Sequence, residues 1–225
     1  MLNYYSDKLS AGNLKLCYEL ATPRIQQYLD AEIDFVRRKI HPGNWTLELG
    51  CGYGRIIPRI ATKSGLIVGI DTSYSSIMHG LNEIKNIDHC HLLVMNAVQL
   101  GFPDHTFDRV ICIQNGISAF YVDPRILIKE AIRVVKPSGS AIFSSYADQF
   151  WPFRLEWFKQ QAEAGLIGEI DYEKTGNGVI VCKDGFTATT VRPQEFKEYA
   201  EGIKAEIRIE AVDQSSIFYE IIPQK

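Results

Sequence analysis

The segment of residues 46–55 joins a short apolar strand to a glycine-rich turn, and it restricts the possible folds more than any other part of the chain. Leucines on both sides of Glu48 are typical of a short buried strand, and apolar residues at helical spacing follow the turn. The turn contains Gly50, Gly52 and Gly54, and the helical positions are Ile56, Ile57, Ile60 and Ala61. Because glycine has no side chain and tolerates positive φ, this backbone can bend sharply and approach a ligand closely. The segment therefore predicts a ligand-contacting turn between a strand and a helix.

Length and composition narrow the class of protein. A chain of 225 residues fits one large domain, or one domain with a small cap, and buries roughly 70% of its unfolded surface. With 46% hydrophobic and 23% charged residues it has an ordinary globular composition, and a net charge of -3 creates no general field for nucleic acid or an anionic bilayer. Residues 1–7 lack the basic-then-apolar order of a signal peptide, and no window approaches the ~18 apolar residues of a membrane span. We therefore expect a cytoplasmic protein with no nucleic-acid or membrane partner.

Cysteine and histidine usage does not indicate a disulfide framework or a metal site. The five cysteines are odd in number, widely separated and include no C-x-x-C pair, so we expect reduced thiols. Cys51 lies between two glycines of the turn, where its backbone is expected to matter more than its sulfur. His89 and His91 share one face of a predicted strand, but two ligands without a third rarely form a metal site.

Strand and helix patterns alternate along most of the chain. Helical spacing covers residues 22–40, 77–84 and 126–135, the last closed by 136–139, and strand patterns cover 66–71, 91–95, 107–113 and 141–143. Alternation of this kind predicts a parallel sheet with helices on both faces, joined by right-handed crossovers. Residues 205–211 and 217–222 predict a terminal antiparallel pair on the edge of the sheet. The expected fold class is α/β, with a Rossmann-like doubly wound, mostly parallel sheet and a C-terminal antiparallel hairpin.

The domain organisation follows from the same patterns. We expect a single domain over residues 1–225, with a helical N-terminal extension at 1–43. Residues 147–204 break the alternation, because they begin with dense aromatic residues and continue with glycine-punctuated polar sequence. They also contain Lys183-Asp184-Gly185, which has the chemistry of a hairpin turn. We interpret this segment as an insertion or lid between the fifth and sixth strands.

The ends of the predicted parallel strands locate a candidate ligand site. In an open parallel sheet, ligands bind outside the carboxyl ends of the strands, where the winding direction reverses. Asp71 lies at such an end, about 20 residues beyond Gly50, a distance at which a carboxylate can accept hydrogen bonds from ribose hydroxyls. The ends of two other predicted strands carry Asn96 with Ala97 and Gln114 with Asn115. We expect these residues and the glycine turn to share one crevice that binds a nucleoside.

The glycine spacing argues against a dinucleotide. A dinucleotide fingerprint needs G-x-G-x-x-G, but the final position is Arg55 when counted from Gly50 and Ile57 when counted from Gly52. Glu48 would also place a carboxylate inside the site, which repels phosphates and favours a cationic ligand. A positively charged nucleoside is therefore the better match.

Residues 46–146 resemble the class I S-adenosylmethionine-dependent methyltransferases. The segment from Glu48 to Gly54 is similar to the family's first motif, whose glycines approach the methionine and adenosine parts of the cofactor. Residues 69–71 resemble the second motif, whose acidic residue holds the ribose, and residues 96–108 resemble the third and fourth motifs, with Asn96 near the adenine. Glu130 and residues 133–139 resemble the helix and turn before the fifth strand. The chain departs from the family pattern at Asn96, Gly101 and Ser138, where aspartate, proline and glycine are usual.

The resemblance implies S-adenosylmethionine as cofactor, with S-adenosylhomocysteine as product, and a set of binding residues. The candidate cofactor-binding residues are Glu48, Gly50, Cys51, Gly52, Gly54, Asp71, Thr72, Asn96, Ala97, Gln114 and Asn115. After the fourth strand this chain lacks the [N/D]-P-P-[Y/F] motif of nucleic-acid amino methyltransferases, and it has no Pro-Cys pair of the cytosine-C5 type. Gln114 stands where catechol-type enzymes have a metal-binding aspartate, so we expect no catalytic metal.

The predicted activity is transfer of a methyl group to a small-molecule acceptor. The alternatives are a nonenzymatic S-adenosylmethionine-binding or scaffold protein, a methyltransferase acting on a protein, and a nicotinamide oxidoreductase, which the glycine spacing disfavours. Aromatic residues outside the motifs are candidates for binding the acceptor, with ordinary core packing as the alternative. These are Tyr5, Phe120, Tyr121, Tyr146 and Trp151. The identity of the acceptor atom, any catalytic base and the oligomeric state stay open at this stage.

Overall fold

A computed structural model describes residue 4 and residues 8–224. Its strands, in chain order, are β1 (Asn44–Leu49), β2 (Ser64–Asp71), β3 (Cys90–Val94), β4 (Phe107–Cys112), β5 (Val135–Tyr146), β6 (Val179–Val181), β7 (Thr187–Thr189), β8 (Ala205–Val212) and β9 (Ser216–Pro223). Its α-helices are α1 (Gly12–Glu19), α2 (Pro23–Lys39), α3 (Ile57–Ile60), α4 (Tyr74–Ile84), α5 (Gly116–Ala119), α6 (Pro124–Val134), α7 (Trp151–Glu163) and α8 (Pro193–Tyr199). None of these helices combines the length and apolar character needed to cross a membrane.

The main sheet has the strand order β3-β2-β1-β4-β5-β9-β8. Strands β1 to β5 pair in parallel, whereas β9 is antiparallel to β5 and to the edge strand β8. The predicted α/β fold class, with a doubly wound, mostly parallel sheet and a C-terminal antiparallel hairpin, is confirmed. Parallel strands of this kind require crossover connections, which helices provide except between β3 and β4, where residues 95–106 form a loop.

Helices cover both faces of the sheet, as the alternating pattern predicts. On one face, α2, α3 and α4 pack apolar side chains such as Val36, Ile57 and Ile77 against the sheet. On the other face, α5, α6 and α8 contribute residues such as Leu127 and Phe196. Each helix buries one apolar stripe in this way, and this burial is the main source of its stability.

Two local predictions differ from the structure. The helix expected after the glycine turn is only the single turn α3, because the chain tightens into a 3₁₀ turn at Ala61–Lys63 and then enters β2. Residues 136–139, expected to close a helix, lie inside β5, where the ladder passes directly from the pair of Phe107 and Val135 to the pair of Arg109 and Ser140. They therefore form a bulge on the strand rather than a separate turn.

A third apolar cluster lies beyond the carboxyl ends of the parallel strands. It combines the first turns of α2 with α7 and the β6–β7 hairpin, through buried residues such as Tyr28, Phe158 and Phe186. The hairpin turn expected at residues 183–185 is confirmed, since β6 and β7 pair antiparallel on either side of it. This cluster is what covers the candidate site.

Candidate functional site

The candidate site is a cavity of about 330 Å³ that lies at the carboxyl ends of the parallel strands. Strand β1 stands between β2 and β4, so the chain winds away from it in both directions. This is the topological switch point at which open α/β sheets bind their ligands. The cavity is also large enough for a small molecule, since ligand pockets start at about 300 Å³.

The glycine turn after β1 forms one wall of the cavity. All three of its glycines have positive φ, at 70° for Gly50, 55° for Gly52 and 72° for Gly54. The amide of Gly54 donates to the carbonyl oxygen of Cys51 at 2.8 Å, which closes the turn. A Cβ atom at Gly52 would lie only 2.7 Å from Cδ2 of Leu14, which also lines the cavity. The positive φ therefore favours glycine at this position, and any larger residue would also have to displace the Leu14 side chain.

Asp71 holds the glycine turn against the end of β2. Its Oδ2 accepts a hydrogen bond from the amide of Gly52 at 2.9 Å, and its Oδ1 accepts one from the amide of Ser73 at 2.8 Å. Burial raises the pKa of Asp71 above its usual value, and these amide donors oppose that rise. The carboxylate lines the cavity, where its remaining acceptor positions can receive hydroxyl groups of a ligand.

Glu48 is a buried carboxyl group that lacks a hydrogen-bond partner for its Oε2 among the described residues. Burial raises its pKa to about 8; nearby Arg55 lowers the pKa and Asp71 raises it further. The Arg55 guanidinium itself donates to Oε1 of Gln114 at 2.5 Å and stacks on the ring of Tyr18, 4.1 Å from its centroid. An unpartnered acceptor in a cavity wall is suited to a ligand that carries a proton donor or a positive charge.

The raised pKa of Glu48 predicts a loss of stability as the pH rises. Below about pH 8 the folded protein keeps a proton that the unfolded chain, with a pKa near 4.5, already releases, so rising pH favours unfolding. We expect Glu48→Gln to remove about 2 kcal/mol of the decrease in unfolding free energy between pH 6 and pH 8. Urea unfolding at both pH values measures this difference, with the exposed Glu19→Gln as the control. If the unfolding free energy changes equally with pH in the native protein and in Glu48→Gln, burial does not raise the pKa of Glu48 as stated.

The backbone at the end of β4 adopts a strained conformation next to the cavity. Gln114 and Asn115 both have positive φ, at 57° and 60°. The amide of Gln114 donates to Oε2 of Glu32 at 2.6 Å and to Oγ of Ser144 at 2.8 Å. The Asn115 side chain accepts from Oγ of Ser145 at 2.7 Å. These contacts from α2 and β5 hold a conformation that costs about 1–3 kcal/mol per residue in isolation.

Glu32 has a role at the site that sequence reasoning missed. It is fully buried on α2, and burial raises its pKa to about 7. Its position on the same helix face as Ile25, Leu29 and Ile33 was the available signal, because a carboxyl group on an apolar stripe needs a buried polar partner.

Aromatic side chains form the other end of the cavity. This end is lined by Tyr18, Tyr28, Tyr146, Trp157, Phe158, Gln161 and Phe186. The ring centroids of Tyr28 and Tyr146 are 5.4 Å apart, and Nε1 of Trp157 donates to the carbonyl oxygen of Cys17 at 2.9 Å. Sequence reasoning noted the aromatic density at residues 157–158 but did not place them in the site.

Most of the predicted cofactor-binding residues line this one cavity. They are Glu48, Gly50, Cys51, Gly52, Asp71, Thr72, Asn96, Gln114 and Asn115. Gly54 and Ala97 do not line it. The amide of Gly54 closes the turn through its hydrogen bond to Cys51, and Ala97 packs in the core against the sheet. Whether each lining residue binds a cofactor stays a prediction.

The predicted acceptor-binding aromatics divide into three groups. Phe120 and Tyr146 line the cavity. Tyr121 lies outside the lining and donates from its hydroxyl to the carbonyl oxygen of Thr187 at 2.9 Å, while Trp151 lines a separate cavity. Tyr5 lies outside the described residues.

The thiols and potential metal ligands in the described part of the chain do not form clusters. All five cysteines are buried and free of disulfides, in agreement with the expectation of reduced thiols. Within residue 4 and residues 8–224, no group of three or more histidine, cysteine or acidic side chains is placed to hold a metal ion.

Comparison with known proteins identifies a methyltransferase domain within the chain. A family model described as a methyltransferase domain matches residues 47–143. The chain is 27% identical over 133 residues to the 2-methyl-6-phytyl-1,4-hydroquinone methyltransferase of Synechocystis, covering 55% of this chain and 41% of the relative. It is 31% identical over 132 residues to the cycloartenol-C-24-methyltransferase of Arabidopsis thaliana, covering 55% of this chain and 38% of the relative. The chain thus spans about two fifths of the length of these curated relatives.

A solved structure matches the fold over its whole length. The PH0226 protein from Pyrococcus horikoshii superposes with a TM-score of 0.67 at 20% identity, covering 100% of this chain and 97% of that protein. Together, the strand order, the glycine turn after β1 and the matching domain define a Rossmann-like methyltransferase fold. Residues 47–143 thus form a methyltransferase domain, in agreement with the resemblance of residues 46–146 to the class I S-adenosylmethionine-dependent methyltransferases.

The residues present fit S-adenosylmethionine, a cationic nucleoside. The unpartnered Oε2 of Glu48 suits a cationic ligand, and Asp71 suits the hydroxyls of a ribose. Gly52 presents only its backbone to the cavity, so a ligand can approach the main chain closely there.

Proposed function

We propose that the protein transfers a methyl group from S-adenosylmethionine to a small-molecule acceptor. The observation that carries the proposal is one cavity with two chemically different ends. The end at Gly50, Gly52 and Asp71 carries the polar and backbone groups suited to the cofactor, and the other end is aromatic. The two relatives reported above are named as methyltransferases of a phytyl hydroquinone and of cycloartenol, which supports a small organic acceptor.

We assign the chain's own residues as follows. Asp71 would hold the ribose, Asn96 would lie near the adenine, and the turn at Gly50 and Gly52 would contact the methionine part. When bound, S-adenosylmethionine supplies a methyl group already activated on a cationic sulfur, so no protein nucleophile is required. The task of the protein is then to align the acceptor with that methyl group, at about 3–3.5 Å, and to exclude water.

The enclosure of the cavity favours a small molecule over a protein substrate. Residues from the N-terminal extension (Tyr18 and Tyr28) and from the insertion (Trp157, Phe158 and Phe186) all line the aromatic end. A side chain presented by a folded protein would have to enter between these elements, whereas a free small molecule can be enclosed by them.

Calorimetric titration with S-adenosylhomocysteine, followed by turnover assays with labelled S-adenosylmethionine, tests the proposal. We expect one binding site per chain and methylation of at least one uncharged ring compound from a broad panel. Binding without turnover on any acceptor would favour the nonenzymatic alternative, and methylation of peptides alone would favour a protein substrate. Absence of S-adenosylhomocysteine binding, or its displacement by NAD, would reject the proposal.

A further inference from the structure

Gln161 is a buried polar side chain whose hydrogen-bonding groups are not used within the described protein. It lies on α7, is only 4% exposed and lines the cavity. Its backbone carbonyl accepts from the amide of Leu166 at 2.9 Å, whereas its side-chain amide makes no hydrogen bond to another described residue. An amide with a free donor and a free acceptor at a cavity wall is suited to a ligand that supplies a hydrogen-bond partner.

The other polar groups at the aromatic end face partners within the protein. The phenol of Tyr18 interacts with Arg55, and the phenols of Tyr28 and Tyr146 interact with each other. The indole of Trp157 donates to a backbone carbonyl. Among the described residues at this end of the cavity, Gln161 is therefore the side chain whose donor and acceptor groups are both available to hydrogen-bond a ligand.

The lining of the aromatic end indicates the shape of the ligand. Two guanidinium groups lie against its rings: Arg55 is 4.1 Å from the ring centroid of Tyr18, and Arg154 is 4.2 Å from that of Tyr146. The remaining described lining of this end consists of rings, aliphatic groups and the Gln161 amide, a surface suited to an aromatic ring.

We infer that Gln161 selects the acceptor, and that this acceptor is a ring-bearing molecule with a hydroxyl or carbonyl oxygen that hydrogen-bonds the Gln161 amide. The rings of Trp157 and Phe158, which precede Gln161 on the same helix, supply flat apolar surfaces for the ring of the acceptor. The amide fixes its orientation, because it can donate to a carbonyl or accept from a hydroxyl. This inference rests on the proposed function, since it assumes that the aromatic end holds the acceptor.

A binding cycle with two matched probes tests the inference. The probes are 2-naphthol and naphthalene, which differ by one hydroxyl group, and their binding is measured by equilibrium dialysis in saturating S-adenosylhomocysteine. We expect the native protein to bind 2-naphthol at least about tenfold more tightly than naphthalene. Gln161→Leu is expected to weaken 2-naphthol about tenfold and to leave naphthalene unchanged or slightly tighter.

Neighbouring Gln160 provides the control. It lies on the same helix, outside the cavity lining, and its amide faces Glu156 at 3.5 Å, so Gln160→Leu is expected to bind both probes as the native protein does. Gln161→Met is a second variant of similar length, and circular dichroism together with S-adenosylhomocysteine binding checks that each variant is folded.

The outcomes separate this inference from the proposed function. If Gln161→Leu loses affinity equally for both probes, or keeps its affinity for 2-naphthol, the proposed role of Gln161 is wrong. If the native protein binds S-adenosylhomocysteine but neither probe, the ring-bearing acceptor is rejected while the cofactor site stands. If S-adenosylhomocysteine itself does not bind, the proposed function fails first.

Discussion

Asp71→Ala is expected to weaken the binding of S-adenosylhomocysteine at least about 100-fold. The substitution removes the carboxylate that lines the cavity at the end of β2 and that we assign to the ribose hydroxyls. Hydrogen bonds to a charged group contribute about 1.5–3 kcal/mol each, so the loss of two such bonds corresponds to a factor of this size. The same change also releases the amide of Gly52, whose hydrogen bond to Oδ2 measures 2.9 Å. Isothermal titration calorimetry measures the effect directly.

Two further variants serve as comparisons for Asp71→Ala. Asp71→Asn keeps one carbonyl acceptor and is expected to lose less affinity than Asp71→Ala, which separates the charge from the shape of the side chain. Asp88 is exposed and lies outside the cavity lining, so Asp88→Ala should bind as the native protein does. If Asp71→Ala stays folded and keeps its affinity within a factor of three, the cofactor does not bind at the end of β2.

Gly52→Val is expected to weaken S-adenosylhomocysteine binding about 1000-fold, or about 4 kcal/mol. Two effects contribute. A β-branched residue is strongly disfavoured at the φ of 55° found here and strains the folded protein by about 1–3 kcal/mol, so the turn moves to relieve the strain and no longer fits the cofactor. The new side chain also projects across the cavity towards Leu14, from which even its Cβ would be only 2.7 Å away. Calorimetry on folded protein measures the loss.

Gly43→Val controls for backbone strain alone. Gly43 has a φ of 84°, yet a Cβ there would meet no atom within 4 Å, and the residue is exposed just before the amino end of β1, whereas the cavity lies at the carboxyl end of that strand. We expect this variant to lose stability through strain but to keep its affinity. Wild-type affinity in Gly52→Val would place the cofactor away from the glycine turn, and equal losses in both variants would attribute the effect to stability rather than to the site.

Predictions from sequence succeeded where a local pattern corresponds to a local conformation. The helix expected at 22–40 is observed as α2, because Thr22 caps it and Pro23 occupies its first position. The terminal hairpin follows the strict alternation of residues 205–211. Predictions were less accurate at residues 136–139, since a proline and glycine pair is compatible with a turn and with a strand bulge alike.

The residues of the candidate site also divide into those that sequence patterns could place and those that they could not. The glycine turn, Asp71 and the strand ends could be placed together because carboxyl ends of parallel strands meet at one edge of the sheet. Phe120 and Tyr146 line the cavity, whereas Trp151 faces a different one, although all three are aromatic residues near strand ends or loops. Sequence does not distinguish them, because the direction of each side chain depends on how the insertion packs.

The α/β class, the order of strands and helices and the position of the glycine turn could be predicted from sequence, because they depend on hydrophobic periodicity and on the conformational freedom of glycine. The distant residues that complete the site became known only from the packing of the whole chain. Glu32 reaches the amide of Gln114, 82 residues further along the chain, and Gln161 comes from a helix beyond the fifth strand to line the same cavity as Glu48. Such contacts arise from the packing of the N-terminal helices and the insertion over the sheet, and a short stretch of sequence does not reveal which partner a buried polar group will meet.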